Sequence, residues 1–197
     1  MTRILAVDCD LTVCPSDKGW RDWLEFKNFE LFLNNYEESN TKYPWDYQVQ
    51  FGKGKLPYNL GKMFPSVEDP LAYWRELDYN QFQPLEGAVE KLKALSTYFN
   101  IVFISAIKGN HTKTKYYWLK QHFPFMSAYV ATKEKWVLNQ DKTVALIDDR
   151  LDNLEGFDYN KRVLFKTPYE QSSDCSVAYT INDWNTFDVP KFCKEYL

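Results

Sequence analysis

The chain is short of the residues that several common chemistries require. It has two histidines and four cysteines in 197 residues. There is no Cys-x-x-Cys pair and no His-Glu-x-x-His run, so a zinc ribbon, a histidine zinc site and a Ser-His-Asp triad have little to be built from. Cys9, Cys14, Cys175 and Cys193 read instead as buried or idle thiols of a reducing compartment. Glycine (7) and proline (9) are sparse, which excludes collagen and low-complexity arrays. Positive charge is not in excess: 24 basic against 27 acidic residues give a net charge of −3. No global field is available to hold a nucleic-acid backbone, and no stable nucleic-acid complex is expected. No apolar run is long enough to cross a bilayer, and the opening MTRILAVDCD reaches aspartate before a signal-peptide core could form. The expectation is a cytoplasmic protein with no membrane partner.

Aromatic residues, by contrast, are abundant: 7 Trp, 14 Tyr and 14 Phe make 18% of the chain. Such an excess can serve a heavy core or a surface on which rings stack against something flat. The length fits one domain of ordinary size with room for an insertion.

Four apolar runs read as buried parallel strands: Ile4–Val7, Ile101–Ile104, Val144–Ile147 and Arg162–Phe165, with 128–131 a weaker fifth. Helical spacing fills the gaps. Ala88, Leu92, Leu95 and Phe99 share one face after Pro84, a second helix covers Thr112 to Phe123 and stops at Pro124, and Asp183 to Tyr196 suggests a last one interrupted by Pro190. Strands alternating with helices predict an α/β fold, a Rossmann-like three-layer parallel sheet with helices on both faces. One stretch breaks the rhythm. Cys14 to Phe82 is far longer than a strand-to-helix connection. It carries Phe29, Phe32, Leu33 and Tyr36 at one-face helical spacing, behind an out-of-phase group of Trp20, Trp23 and Leu24. The expectation is a core of residues 1–13 and 83–197 with a small, mostly helical insertion at 14–82. That insertion holds sixteen of the 35 aromatics.

The first strand delivers Asp8-Cys9-Asp10-Leu11-Thr12. With this chain's 15 Asp and 11 Thr, an Asp-x-Asp-x-Thr pattern arises by chance roughly 0.06 times, so its position matters more than its occurrence. Ligands of open α/β sheets bind outside the carboxyl ends of the strands. The second strand ends in Ser105-Ala106, followed by a loop containing Gly109 and then a helix; a hydroxyl and exposed amides there suit a phosphoryl group, although Ser after a strand is ordinarily a turn residue. The third delivering strand ends in Asp148-Asp149-Arg150. Adjacent carboxylates repel unless a cation or donors sit beside them, and helix capping is the ordinary alternative for one of the pair. Asp8, Asp10, Asp148 and Asp149 would converge at one sheet edge as an oxygen-rich site for a hard cation, for which Mg2+ fits best. Lys133 or Lys135 could supply the positive charge that phosphoryl transfer needs.

The ordered series Asp-x-Asp-x-Thr, Ser, Lys, Asp-Asp resembles the haloacid dehalogenase superfamily of phosphotransferases over about 125 residues of core. Within it the chain is most similar to the 5'(3')-deoxyribonucleotidases. Tyr73-Trp74-Arg75-Glu76-Leu77 leading to Pro84-Leu85-Glu86-Gly87-Ala88 looks like that family's approach to its second strand. Thr132-Lys133-Glu134-Lys135 and Ile147-Asp148-Asp149-Arg150, followed by Asp152-Asn153, look like its later motifs. That register selects Lys135 over Lys133, and the insertion falls where the family carries its cap. Leu11, Ala106 and Leu151 depart from the usual glycine, polar residue and proline.

The resemblance implies a phosphatase that hydrolyses (deoxy)nucleoside monophosphates. Asp8 would be the nucleophile, forming an aspartyl-phosphate. Asp10 would be the general acid and base, its pKa raised by neighbouring negative charge. Ser105, the Ala106 amide and Lys135 would hold the phosphate. Asp8, the Asp10 carbonyl and Asp148 would bind Mg2+, with Asp149 ordering waters or a ligand itself, and the aromatic insertion would close over a nucleobase. A phosphatase of polynucleotide 3'-phosphates or sugar phosphates shares every core residue, and a receiver-like signalling domain shares several. The oligomeric state is open, a homodimer being one option.

Overall fold

The structure is a computed structural model and describes residues 3–35, 56–106, 111–171 and 173–197. Gly109, Tyr36 and the side chains of Phe32 and Leu33, named above, lie outside the described residues.

Six strands, β1 (Ile4–Val7), β2 (Asn100–Ser105), β3 (Ala128–Ala131), β4 (Thr143–Asp148), β5 (Arg162–Phe165) and β6 (Tyr179–Ile181), form one sheet in the order β3-β2-β1-β4-β5-β6. Every pairing is parallel. Both faces are covered, which is why the central strands read as continuous apolar runs rather than alternating ones. Leu5 and Val7 of β1 and Ile101 and Phe103 of β2 belong to one apolar cluster, while Ala6 and Ile104 belong to another on the opposite face. The larger cluster takes in α3 (Ala88–Leu95) through Ala88, Leu92 and Leu95, α4 (His111–His122) through Trp118 and Leu119, and α6 (Val189–Tyr196) through Phe192 and Tyr196. The smaller includes Leu154 of the single-turn α5 (Leu151–Leu154).

Two helices differ from expectation. The helix expected from Asp183 begins at Val189, because Asp188 accepts a hydrogen bond from Lys191 N at 2.9 Å and caps it there. Pro190 sits in the first turn, where its missing N–H costs nothing, and so opens the helix rather than interrupting it. In the 14–82 stretch, α1 (Ser16–Asn35) is one helix of 20 residues and not two out-of-phase groups. Its buried line is Ser16, Trp20, Leu24 and Asn28, at i, i+4, i+8 and i+12, while Phe29 is 42% exposed. The line is polar at both ends, so hydropathy alone did not mark it.

The other described elements of that stretch are short: a single-turn 3-10 helix at Leu60–Met63, α2 (Ala72–Glu76), and another single turn at Tyr79–Gln81. Trp20, Leu24, Leu60, Phe64, Tyr73, Tyr79 and Phe82 join the same apolar cluster as the sheet. Trp20 Nε1 donates to Pro70 O at 2.6 Å, and Leu56 pairs with the loop after β5, its N–H donating to Pro168 O and its carbonyl accepting from Glu170 N. Among the described residues all four cysteines are free thiols, and no helix is long and apolar enough to cross a membrane.

Candidate active site

The register brings the strand ends level. Val7 is opposite Phe103 on one side and Ile147 on the other, so Asp8, Ser105 and Asp148 emerge at one edge beside the central strand, where the strand order reverses. After Asp8 the chain turns back tightly: Val13 N and Cys14 N both donate to Cys9 O, and Leu11 N donates to Cys14 O. Leu11 makes this turn with φ of 59°, the left-handed region that favours glycine. This is the physical reason for the glycine usual at that position, and Leu11 carries the strain instead. Thr12 is fully buried, its carbonyl accepting from Trp184 Nε1 at 2.7 Å, so it ties the loop to the core.

Asp8, Asp148 and Asp149 are buried, with one oxygen of each lying within 4.8 Å of the others. Lys135, 4% exposed, places its Nζ 2.7 Å from both Asp8 Oδ1 and Asp148 Oδ2. Lys133 is exposed. Asp148 Oδ1 accepts from Arg150 N and Asn153 Nδ2, both at 2.9 Å, so this carboxylate also holds the turn into α5, although Arg150, not an aspartate, is the N-cap of that helix. Asp149 Oδ2 accepts from Tyr58 Oη at 2.8 Å, and Asp149 Oδ1 is buried with no hydrogen-bond partner. The Arg150 guanidinium lies 4.5 Å from the Tyr58 ring centroid.

Three carboxylates against one ammonium leave the cluster electrically incomplete. Burial, reinforced by Asp148 and Asp10 and opposed by Lys135, pushes the Asp8 carboxyl up to about 7. Burial and the charges of Asp148 and Asp8 push Asp149 well above the usual carboxylate range. Burial opposes the Lys135 charge, but Asp148 and Asp8 outweigh it and raise its pKa. An all-oxygen donor set with an orphaned buried oxygen fits a hard divalent cation. Asp8, Asp148 and Asp149 are the side chains that would hold it.

Asp10 belongs to a second constellation. Its Oδ1 accepts from Tyr79 Oη at 2.6 Å, and its Oδ2 lies 2.7 Å from Lys115 Nζ and 3.4 Å from Ser105 Oγ. Lys115, fully buried on α4, also donates to Ser105 Oγ at 2.6 Å. The expectation that negative neighbours raise the Asp10 pKa is corrected here. Burial does push it up, but the Lys115 charge and the hydrogen bonds from Lys115 and Tyr79 outweigh burial and lower it overall.

Asp8, Asp10, Ser105, Ala106 and Lys135 all line one cavity of about 490 Å3. Trp20, Tyr58 and Trp74 from the 14–82 stretch also line it, as does His111, whose Nδ1 makes a short contact with the Trp74 carbonyl oxygen. Sequence reasoning missed Tyr58, Tyr79, Lys115 and His111. A lysine and a histidine on the apolar face of a helix, at i and i+4, were the available signal for two of them.

A parallel sheet of this order, with paired aspartates after β1, a hydroxyl after β2, a buried lysine and an Asp-Asp pair after β4, defines a phosphatase of the haloacid dehalogenase type. Solved structures agree on the fold. A haloacid dehalogenase-like hydrolase from Xanthomonas campestris aligns with a TM-score of 0.59 at 10% identity, covering 99% of this chain and 96% of that one. The hydrolase YfnB of Bacillus subtilis, solved with magnesium bound, aligns at 0.52 and 16% identity, covering 93% and 96%. Residues 3–189 match the family model described as 5' nucleotidase, deoxy (pyrimidine), cytosolic type C protein, and the chain belongs to that family. A 5'(3')-deoxyribonucleotidase of Clostridium acetobutylicum is 30% identical over 184 residues, 91% of this chain and 89% of that protein. Membership of a nucleotidase family makes this chain a phosphoric monoester hydrolase rather than a receiver-type domain.

Proposed function

We propose that the protein is a Mg2+-dependent 5'(3')-deoxyribonucleotidase that converts (deoxy)nucleoside monophosphates to nucleoside and phosphate through an aspartyl-phosphate. The observation that carries this reading is the single cavity into which Asp8, Asp10, Ser105, Ala106 and Lys135 all open. Its volume of about 490 Å3 suits a ligand of nucleotide size.

Asp8 attacks phosphorus, and the ester P–O bond breaks as the Asp8 O–P bond forms. Asp10, two residues on and ionised in the free protein, takes up the proton that a phosphate monoanion brings and gives it to the departing alkoxide. It then takes one from the water that cleaves the aspartyl-phosphate, so that Asp8 and Asp10 are both regenerated. Ser105 Oγ and the Ala106 amide bind phosphate oxygens, and Lys135 offsets charge gathered on nucleophile and phosphate. The cation, held by Asp8, the Asp10 carbonyl and Asp148 with Asp149 beside them, would neutralise the carboxylates and polarise the phosphoryl group when bound. We assign residues 14–82 as the cap and 1–13 with 83–197 as the phosphotransferase core. Trp20, Tyr58 and Trp74 support that assignment, because they line the same cavity as Asp8, Asp10 and Lys135.

A panel of 5'- and 3'-monophosphates, ribo and deoxy, with and without Mg2+, tests the substrate class. Turnover of 3'-phosphorylated oligonucleotides alone would transfer the reading to a polynucleotide phosphatase. Phosphate release by Asp8→Asn at the native rate would remove Asp8 as nucleophile.

A further inference from the structure

We propose that Lys115 is a positioning residue, one buried ammonium that fixes both the Asp10 carboxylate and the Ser105 hydroxyl. The inference rests on the reading above, in which Asp10 is the acid and base and Ser105 binds phosphate. Lys115 has no exposed surface, and its Nζ reaches Asp10 Oδ2 at 2.7 Å and Ser105 Oγ at 2.6 Å. It stands 5.0 Å from the centroid of the Tyr79 ring, whose hydroxyl holds the other Asp10 oxygen at 2.6 Å.

The donor and acceptor inventory makes the arrangement directional. An ammonium can only donate, so Ser105 Oγ must accept from Lys115, which leaves the serine's own hydrogen to point away. Asp10 Oδ2 at 3.4 Å is too distant to hold that hydrogen firmly. The other direction is the cavity that Ser105 lines, where a phosphate oxygen would accept it. Asp10 has a donor on each oxygen, Tyr79 on Oδ1 and Lys115 on Oδ2, which fixes the plane of the carboxylate while leaving each oxygen a second lone pair for a proton in flight. A methionine would fill the same space without the penalty of burying a charge, so packing alone does not account for the lysine.

The discriminating experiment compares leaving groups. Nucleoside alkoxide needs a proton as it departs, whereas p-nitrophenolate does not. First-turnover rates are measured with thymidine 5'-monophosphate and, as the burst, with p-nitrophenyl phosphate, for Lys115→Met, Tyr79→Phe and Asp10→Asn in the full chain with Mg2+. If Lys115 positions Asp10, Lys115→Met slows the nucleotide by about a hundredfold, the lower range for a general acid, and the p-nitrophenolate burst by less than about tenfold. Tyr79→Phe, which removes one oxygen and keeps the ring, shows the same split more weakly and serves if Lys115→Met does not fold. Equal slowing of both leaving groups in every folded variant, or no slowing, overturns the proposal. If Asp10→Asn shows the split and the Lys115 and Tyr79 variants do not, the positioning role alone fails. If Asp10→Asn shows none, the acid and base reading fails, and the proposal with it.

Discussion

Binding of Mg2+ should be steeply linked to pH, and the slope follows from the carboxylate cluster. Without the cation, burial raises the Asp8 carboxyl from 3.8 to about 7. Its contribution to folding is therefore fully present below the unfolded value of 3.8 and is lost as pH rises through about 7. Across that window the metal-free protein gives up roughly 4 kcal/mol from this group, at about 1.4 kcal/mol per pKa unit. A cation seated among ionised carboxylates reverses the trend, because it binds only after the protons leave. Each pH unit below 7 then multiplies the Mg2+ concentration needed for half-saturation about tenfold for one displaced proton, and up to about a hundredfold if Asp149, also raised, yields a second. At a hundred times the dissociation constant the gain is about 2.7 kcal/mol, a melting shift of roughly 5–10 °C for a chain of this size. Thermal unfolding with Mg2+ titrations at pH 5, 6, 7 and 8, against EDTA controls, measures the slope. A half-saturation concentration unchanged between pH 5 and 7, or an undiminished shift in Asp148→Asn, would refute the reasoning.

Three further outcomes follow from single contacts. Lys135→Ala removes the only ammonium between Asp8 and Asp148 among the described residues; urea unfolding in EDTA should show a loss of about 3–5 kcal/mol, part of which Mg2+ restores. Tyr58→Phe deletes the hydrogen bond to Asp149 Oδ2 but keeps the ring under Arg150, so about 1–3 kcal/mol should be lost in the same assay. At Leu11, φ of 59° disfavours β-branched residues most: Leu11→Val should cost about 1–2 kcal/mol, whereas Leu11→Gly should be tolerated far better, a ranking read directly from melting temperatures.

The parts of the fold that were legible in the sequence are those where burial imposes a simple pattern. β1, β2, β4 and β5 are covered on both faces and stand out as apolar runs, and the carboxyl end of a parallel strand is where chemistry gathers, so Asp8, Ser105 and Asp148 could be named from pattern alone. β6 could not. It has three residues, Tyr179 to Ile181, at the sheet edge with only Ile181 buried, which is too short a signal for periodicity to register. Lys115 was hidden for a different reason. Its helix is polar on most sides, and the buried line of His111, Lys115, Trp118 and Leu119 includes two polar residues, so the group that organises Asp10 occupies a place where hydropathy expects a core residue.

The aromatic excess shows how one count can stand for several properties. Ring abundance in residues 14–82 suggested flat faces for stacking, and Trp20 and Trp74 do reach the cavity wall. Phe64, Tyr73 and Phe82 are instead buried in the apolar cluster shared with the sheet, as a thin segment with little depth needs large side chains to exclude water. Tyr58 and Tyr79 do something that composition cannot express. Each comes from this segment and sets its hydroxyl on a carboxylate of the core, Tyr58 on Asp149 and Tyr79 on Asp10. A phenol can do both jobs at once, because its ring packs while its hydroxyl donates. The segment therefore reaches the chemistry through hydroxyls on both acidic pairs, so its seating helps to orient Asp149 and Asp10.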